Sequence, residues 1–171
     1  CIDGVLLMEL VTDDTGDAAP RLNDVTMSAE QALEDHATMM NYVVRMLCAG
    51  VVHGDLSEFN VLVDAYGPVI IDMPQAVDAA ANNNAQAMFT RDVDNMTNYY
   101  GQYAPELLST RYAQEIWALF EQGELDPEVT LTGHFDDPED AADVGSVLLE
   151  IKAALQEEED RKERMSESEP Y

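Results

Sequence analysis

Asp55, Asn60 and Asp72 carry the oxygen donors around which this chain can do chemistry. Asp55 falls in the run His53-Gly54-Asp55-Leu56-Ser57-Glu58-Phe59-Asn60, and Asp72 closes the run Pro68-Val69-Ile70-Ile71-Asp72. Carboxylate and amide oxygens gathered by a rigid element are how a magnesium–phosphate site is built, because magnesium is a hard cation that takes oxygen ligands. His53 reads as a packing and hydrogen-bonding residue of its loop rather than a proton carrier.

The elements that must position these residues follow from apolar patterning. Val61-Leu62-Val63 and Val69-Ile70-Ile71 flank Asp64-Ala65-Tyr66-Gly67-Pro68, which reads as a hairpin turn. The hairpin holds Asn60 at the start of one strand and Asp72 at the end of the other, with Asp55 on the loop just before it. Upstream, residues 5–11 read as an apolar strand, and Ser28-Ala29-Glu30-Gln31 is a capping-box pattern. The helix it opens carries Leu33, Ala37, Met40, Val43, Val44 and Leu47 at three–four spacing and stops at Gly50. Downstream, a short segment from Pro74 is broken by Asn82-Asn83-Asn84. A second long helix begins at Ala85, with Phe89, Val93, Met96 and Tyr100 on one face. A third starts at Pro105 and runs through Leu108, Tyr112, Ile116 and Phe120 to Gly123. Asp136-Asp137-Pro138 caps a last helix through Val144, Val147, Leu148, Ile151 and Leu155, which runs into a charged end.

Composition excludes several classes of function. A chain of 171 residues with 46% apolar residues fits one domain with a real core. Its 8 basic and 35 acidic residues give a net charge of −27. Nucleic acid and anionic lipid both need clustered Lys and Arg, so this surface binds neither directly; the expected setting is cytoplasmic. Cys1 and Cys48 make no disulfide framework, and His36, His53 and His134 are too scattered for a zinc site. No apolar run of about 18 residues spans a membrane, and no signal peptide is recognisable. The chain opens on Cys1 inside a strand-like pattern, and it reads as a fragment whose N-terminal part is lost.

The spacing from Asp55 to Asn60 is that of a protein-kinase catalytic loop, with Gly54 in place of the usual Arg. In that arrangement the Asp faces the attacking hydroxyl or water while the Asn turns to a magnesium ion. Asp72 matches the aspartate that bridges magnesium to the nucleotide phosphates. Phosphoryl transfer needs little beyond positioned metal ions and an oriented nucleophile.

His53 to Asn60, Ile70-Ile71-Asp72-Met73-Pro74-Gln75, and Asn84-Ala85 leading to Phe89-Thr90-Arg91-Asp92-Val93-Asp94-Asn95 resemble the Rio family of atypical serine/threonine protein kinases. The Rio-one-like branch, in a form similar to bacterial members, fits best. Ser57-Glu58 and Pro74-Gln75 separate this pattern from aminoglycoside and choline kinases. The resemblance implies an α+β, mainly α fold: a kinase-like C-terminal lobe with a small β-hairpin at the catalytic loop and the N-terminal lobe missing. It implies a hinge strand at 1–12, a loop at 13–27, the lobe core at 28–135, a C-terminal helix at 136–156 and a frayed tail at 157–171. It further implies Asp55 and Asp72 as catalytic, Asn60 and Asp72 as magnesium ligands, and Met8, Glu9 and Val11 as the hinge meeting the adenine of ATP. Asp72 would also be a transient phosphate acceptor. The implied cofactors are ATP and Mg2+, and the implied partner is a protein substrate, with ribosome-assembly components entering by family analogy.

Two kinase parts are absent from residues 1–171. There is no glycine-rich phosphate loop, and the only lysines, Lys152 and Lys162, lie in the acidic C-terminal region. The isolated chain is therefore expected to bind ATP poorly and turn it over little. The competing readings are a non-catalytic binding module from a truncated or degenerate kinase, and a small-molecule phosphotransferase of aminoglycoside-kinase type.

Overall fold

The computed structural model describes residues 9–137, which form three α-helices and two separate two-stranded antiparallel sheets. The mainly helical α+β class expected from the sequence is the one observed. Helix α1 (Ala29–Cys48) starts where Ser28 Oγ accepts the Gln31 N–H at 3.1 Å, satisfying one of the unpaired donors of a helix N-terminus. Only half of the capping box forms, because the Gln31 side chain turns forward to Asp35 Oδ1 at 2.8 Å. The buried stripe of α1 is also rotated from the expected one. Leu33 is exposed, and Ala32, Asp35, His36 and Met39 are buried instead. An apolar count skips Asp35 and His36, yet both enter the interior because each has a partner: Gln31 for Asp35, and Thr97 Oγ1 at 3.0 Å for His36 Nε2.

Helix α2 (Ala85–Gly101) buries Phe89, Val93, Met96 and Tyr100, as its spacing predicts. Tyr99 donates its hydroxyl to the Leu22 carbonyl at 2.7 Å, tying α2 to a short 3-10 turn at Leu22–Asp24. The third expected helix is two elements, a 3-10 turn at Pro105–Ser109 and helix α3 (Tyr112–Gln122). The break has two causes, one local and one distant. Thr110 Oγ1 bonds the Leu107 carbonyl at 2.6 Å, and the Arg111 N–H goes to Gly133 O at 2.8 Å instead of a helical partner. Burial of Leu22, Met39, Leu47, Leu56, Met96 and Ile116 knits the helices into one core, each such side chain contributing about 2 kcal/mol.

The hairpin forms from β2 (Val61–Asp64) and β3 (Gly67–Ile70), with Asp64 opposite Gly67. Its tip is the two residues Ala65 and Tyr66, so Gly67 and Pro68, expected in the turn, belong to the strand. The second sheet is not signalled by periodicity: β1 (Val51–Val52) pairs antiparallel with β4 (Val77–Asp78). The 13–27 stretch is more ordered than a loop, since Arg21 bridges Leu62 and the Val63 N–H reaches Pro20 O. The strand expected at 5–11 is not found in its described part. Glu9 to Val11 have no regular structure, and Thr12 makes only an isolated bridge to Ala18 around the Asp13–Asp17 turn. Met8, and the last helix and tail from residue 138 onward, lie outside the described residues.

Candidate functional site

Gly54, Asp55 and Leu56 belong to no helix or strand, so their backbone polar groups must be met by side chains. Helix α2 supplies most of them. Asp92 Oδ2 accepts the Gly54 N–H at 2.7 Å, and Asp92 Oδ1 accepts the Leu56 N–H at 3.0 Å. Asn95 Nδ2 donates to the Leu56 carbonyl at 3.0 Å, and Arg91 Nη2 donates to the Gly54 carbonyl. The Asp55 N–H turns to His53 Nδ1 at 3.3 Å, and the Asp55 carbonyl accepts from Asn60 Nδ2 at 2.8 Å. Every backbone donor and acceptor from Gly54 to Leu56 is thereby engaged. The Asp55 side chain stands exposed between two buried neighbours. Asp92 itself is buried; burial pushes its carboxyl above the usual range, opposed by the Gly54 and Leu56 N–H groups, His53 and Arg91.

His53 links this loop to the hairpin. Its ring is buried, and Nε2 lies 2.9 Å from the Ile71 carbonyl. Because Nδ1 accepts from Asp55 N–H, Nε2 carries the hydrogen and donates, which fixes the tautomer. The Ile71 N–H in turn reaches the Asn60 carbonyl at 2.9 Å. Ile71 is therefore held through both its donor and its acceptor, and the next residue is Asp72. Asp72 adopts φ 67, ψ 62, alone among the described non-glycine residues in having positive φ. That conformation costs about 1–2 kcal/mol and persists because the flanking bonds determine it.

Gly54 also explains the absence of the usual arginine. Its φ is +85, and a Cβ there would lie 2.7 Å from both the Gln75 carbonyl oxygen and Met88 Cε. The turn Met73–Gln75 after Asp72 thus packs directly on the loop that carries Asp55.

The structure joins Asp55 and Asn60 by hydrogen bonds and ties Asn60 to Ile71, the residue that precedes Asp72. Asn60 Nδ2 also lies 3.3 Å from Asp55 Oδ2, so the amide's hydrogens face Asp55 and its Oδ1 is left as an acceptor. Asn60 Oδ1 and the exposed Asp72 carboxylate are hard oxygen donors and fit Mg2+. No group of three or more His, Cys, Asp or Glu placed to hold a metal ion occurs among the described residues. A magnesium ion here would draw its remaining ligands from phosphate and water, the usual manner for that ion. Of the expected hinge residues, Met8 lies outside the described residues. No hydrogen bond among the described residues joins Glu9 or Val11 to the site, and the Val11 carbonyl accepts from Ala19 N–H at 2.9 Å. In the sequence, Arg91, Asp92 and Asn95 stand out only as part of the run that resembles the Rio family. A signal for Asp92 was present: it interrupts the apolar stripe of Phe89, Val93 and Met96.

The family model of the RIO domain matches residues 1–113. The chain is 38% identical over 96 residues to the RIO-type serine/threonine-protein kinase Rio1 of Haloferax volcanii, covering 56% of this chain and 32% of that one. It is 32% identical over 108 residues to serine/threonine-protein kinase RIO1 of Homo sapiens, covering 63% and 19%. To the RIO-type serine/threonine-protein kinase Rio2 of Methanocaldococcus jannaschii it is 38% identical over 78 residues, covering 45% and 28%. The chain spans at most about a third of the length of these curated relatives.

Proposed function

The chain belongs to the RIO-domain family, and from that premise we propose that it carries the catalytic loop and metal-binding hairpin of an ATP- and magnesium-dependent RIO-type serine/threonine protein kinase and/or ATPase. In this reading residues 28–135 are a kinase-like C-terminal lobe. The observation that carries it is this set of bonds: Asn60 bonded to Asp55, Ile71 bonded to both Asn60 and His53, and Asp72 following. A binding module would need none of these three side chains in this arrangement.

Asp55 accepts a hydrogen bond from the attacking serine or threonine hydroxyl, orients its oxygen towards the γ-phosphorus of ATP and takes up its proton as the ester forms. The new P–O bond forms as the bond to the β–γ bridging oxygen breaks, and ADP leaves with that electron pair. Asn60 and Asp72 would hold Mg2+, which when bound neutralises the charge developing on the phosphate oxygens. Water in place of the hydroxyl gives ATP hydrolysis. Asp72 is further read as a transient phosphate acceptor, and the Glu9–Val11 backbone as the adenine contact.

The test is ATP turnover and autophosphorylation by the full natural protein, compared with Asp55→Ala and Asp72→Ala. Both substitutions should reduce transfer by two orders of magnitude or more, on the scale of removing a group that acts in the transition state. Wild-type activity in both would overturn the assignment. Residues 1–171 contain no glycine-rich phosphate loop, so this stretch alone should hydrolyse little ATP; vigorous magnesium-dependent hydrolysis by it would sink that expectation.

A further inference from the structure

Gly54 precedes Asp55 and has positive φ with no side chain of its own to lock it. Glycine tolerates several backbone states at little cost, so the peptide plane between Gly54 and Asp55 is fixed by its partners rather than by sterics. One end of Gly54 is fixed by Asp92, which takes the N–H. The peptide plane leading into Asp55 has two partners: its N–H meets His53 Nδ1 at a long 3.3 Å, and its carbonyl is held closely by Arg91 Nη2.

Arg91 differs from the other two α2 residues in its surroundings. Asp92 is buried and Asn95 half-buried, whereas Arg91 is exposed. It makes no carboxylate salt bridge among the described residues, where Arg45 pairs with Glu128 at 3.1 Å. Its sequence neighbour Asp92 has both oxygens committed to Gly54 and Leu56. In a chain of net charge −27, this exposed arginine is attracted by the adjacent Asp92 carboxylate yet spends its hydrogen bond on the Gly54 carbonyl.

We propose that Arg91 is a positioning residue, which by gripping the Gly54 carbonyl prevents rotation of the Gly54–Asp55 peptide plane and so aims the Asp55 carboxylate. The inference rests on Asp55 being the catalytic residue of the proposed reaction. Because Arg91 is exposed, its removal leaves no buried group unpaired except the Gly54 carbonyl. Activity should therefore fall much further than stability.

The experiment is steady-state kinetics of the full natural protein in four forms: wild type, Arg91→Ala, Arg91→Lys and Asp55→Ala, with thermal unfolding of each. The expected result for Arg91→Ala is a ten- to hundredfold loss in kcat, the scale of a small misplacement of a reacting group. KM for ATP should be unchanged, and the unfolding midpoint should fall by only the few degrees that one unpaired buried carbonyl accounts for. Arg91→Lys, which keeps a charged donor, should recover most of that loss. An unchanged kcat in Arg91→Ala beside an inactive Asp55→Ala would overturn this inference and leave the proposed function standing. A rise in the acceptor's KM with kcat intact, or no recovery with lysine, would also overturn it. Full activity in Asp55→Ala would overturn both readings.

Discussion

The loop that presents Asp55 and the hairpin that presents Asn60 and Asp72 adjoin in the fold but are secured by opposite means. The hairpin is secured by its own backbone: four paired positions, a two-residue tip, and an added bridge from Arg21 to Leu62. The loop owes its shape to side chains 36–39 residues away on α2. Backbone pairing is nearly indifferent to side-chain identity, so the hairpin should absorb substitutions at its tip. Side-chain bracing concentrates the same task in a few named residues. The half of the candidate site that carries Asp55 is therefore the fragile half, and the half that carries Asn60 and Asp72 the tolerant one.

Asp92→Ala should break the braced half most severely, since it leaves the Gly54 and Leu56 N–H groups buried without acceptors. We expect a loss of about 3–4 kcal/mol, read from the denaturant midpoint; a midpoint near wild type would show the loop does not depend on α2. The seating of α2 on α1 gives the next test. Burial pushes His36 down to about 4 from its ordinary 6.5, and its ring is bonded to Thr97 on α2. Below pH 6.5 the unfolded chain binds a proton there that the folded chain refuses until about 4, so stability rises with pH through this window. Acidification should thus cost up to roughly 3 kcal/mol, and His36→Gln should lose that part of the slope in pH-dependent thermal melts. A smaller effect, about 2 kcal/mol, is expected for Gly54→Ala, from its positive φ and the contact with the Gln75 carbonyl. Tyr66→Ala at the 98% exposed hairpin tip should stay within about 0.5 kcal/mol in the same denaturation assay. A larger shift there would erase the contrast between the two halves.

The same contrast explains what could be read from the sequence. The hairpin, and the placement of Asp55, Asn60 and Asp72 around it, were legible because each depends on neighbours within a few positions: apolar triplets, a turn between them, and Asp and Asn at fixed offsets. The pairing of β1 with β4 was not, since two-residue strands carry no periodicity to detect. Neither was the bracing by Arg91, Asp92 and Asn95, which joins distant segments and shows itself only as a charge on an apolar face. Helix α3 starts later than its apolar spacing suggests because the partner that draws off Arg111, the Gly133 carbonyl, lies in a different stretch of chain.

The short β1–β4 pairing has one more consequence. It is extended by the Ala79 N–H reaching the Gly50 carbonyl at 2.9 Å, so the chain from Gly50 to Ala79 is a ring closed at its base. All of His53, Asp55, Asn60 and Asp72 lie inside that ring. The entropy of bringing its ends together is lost once, at the base, and shared by everything within it. The site should therefore breathe as one cooperative unit, with the amide hydrogens of Gly54, Leu56 and Ile71 exchanging at a common opening free energy.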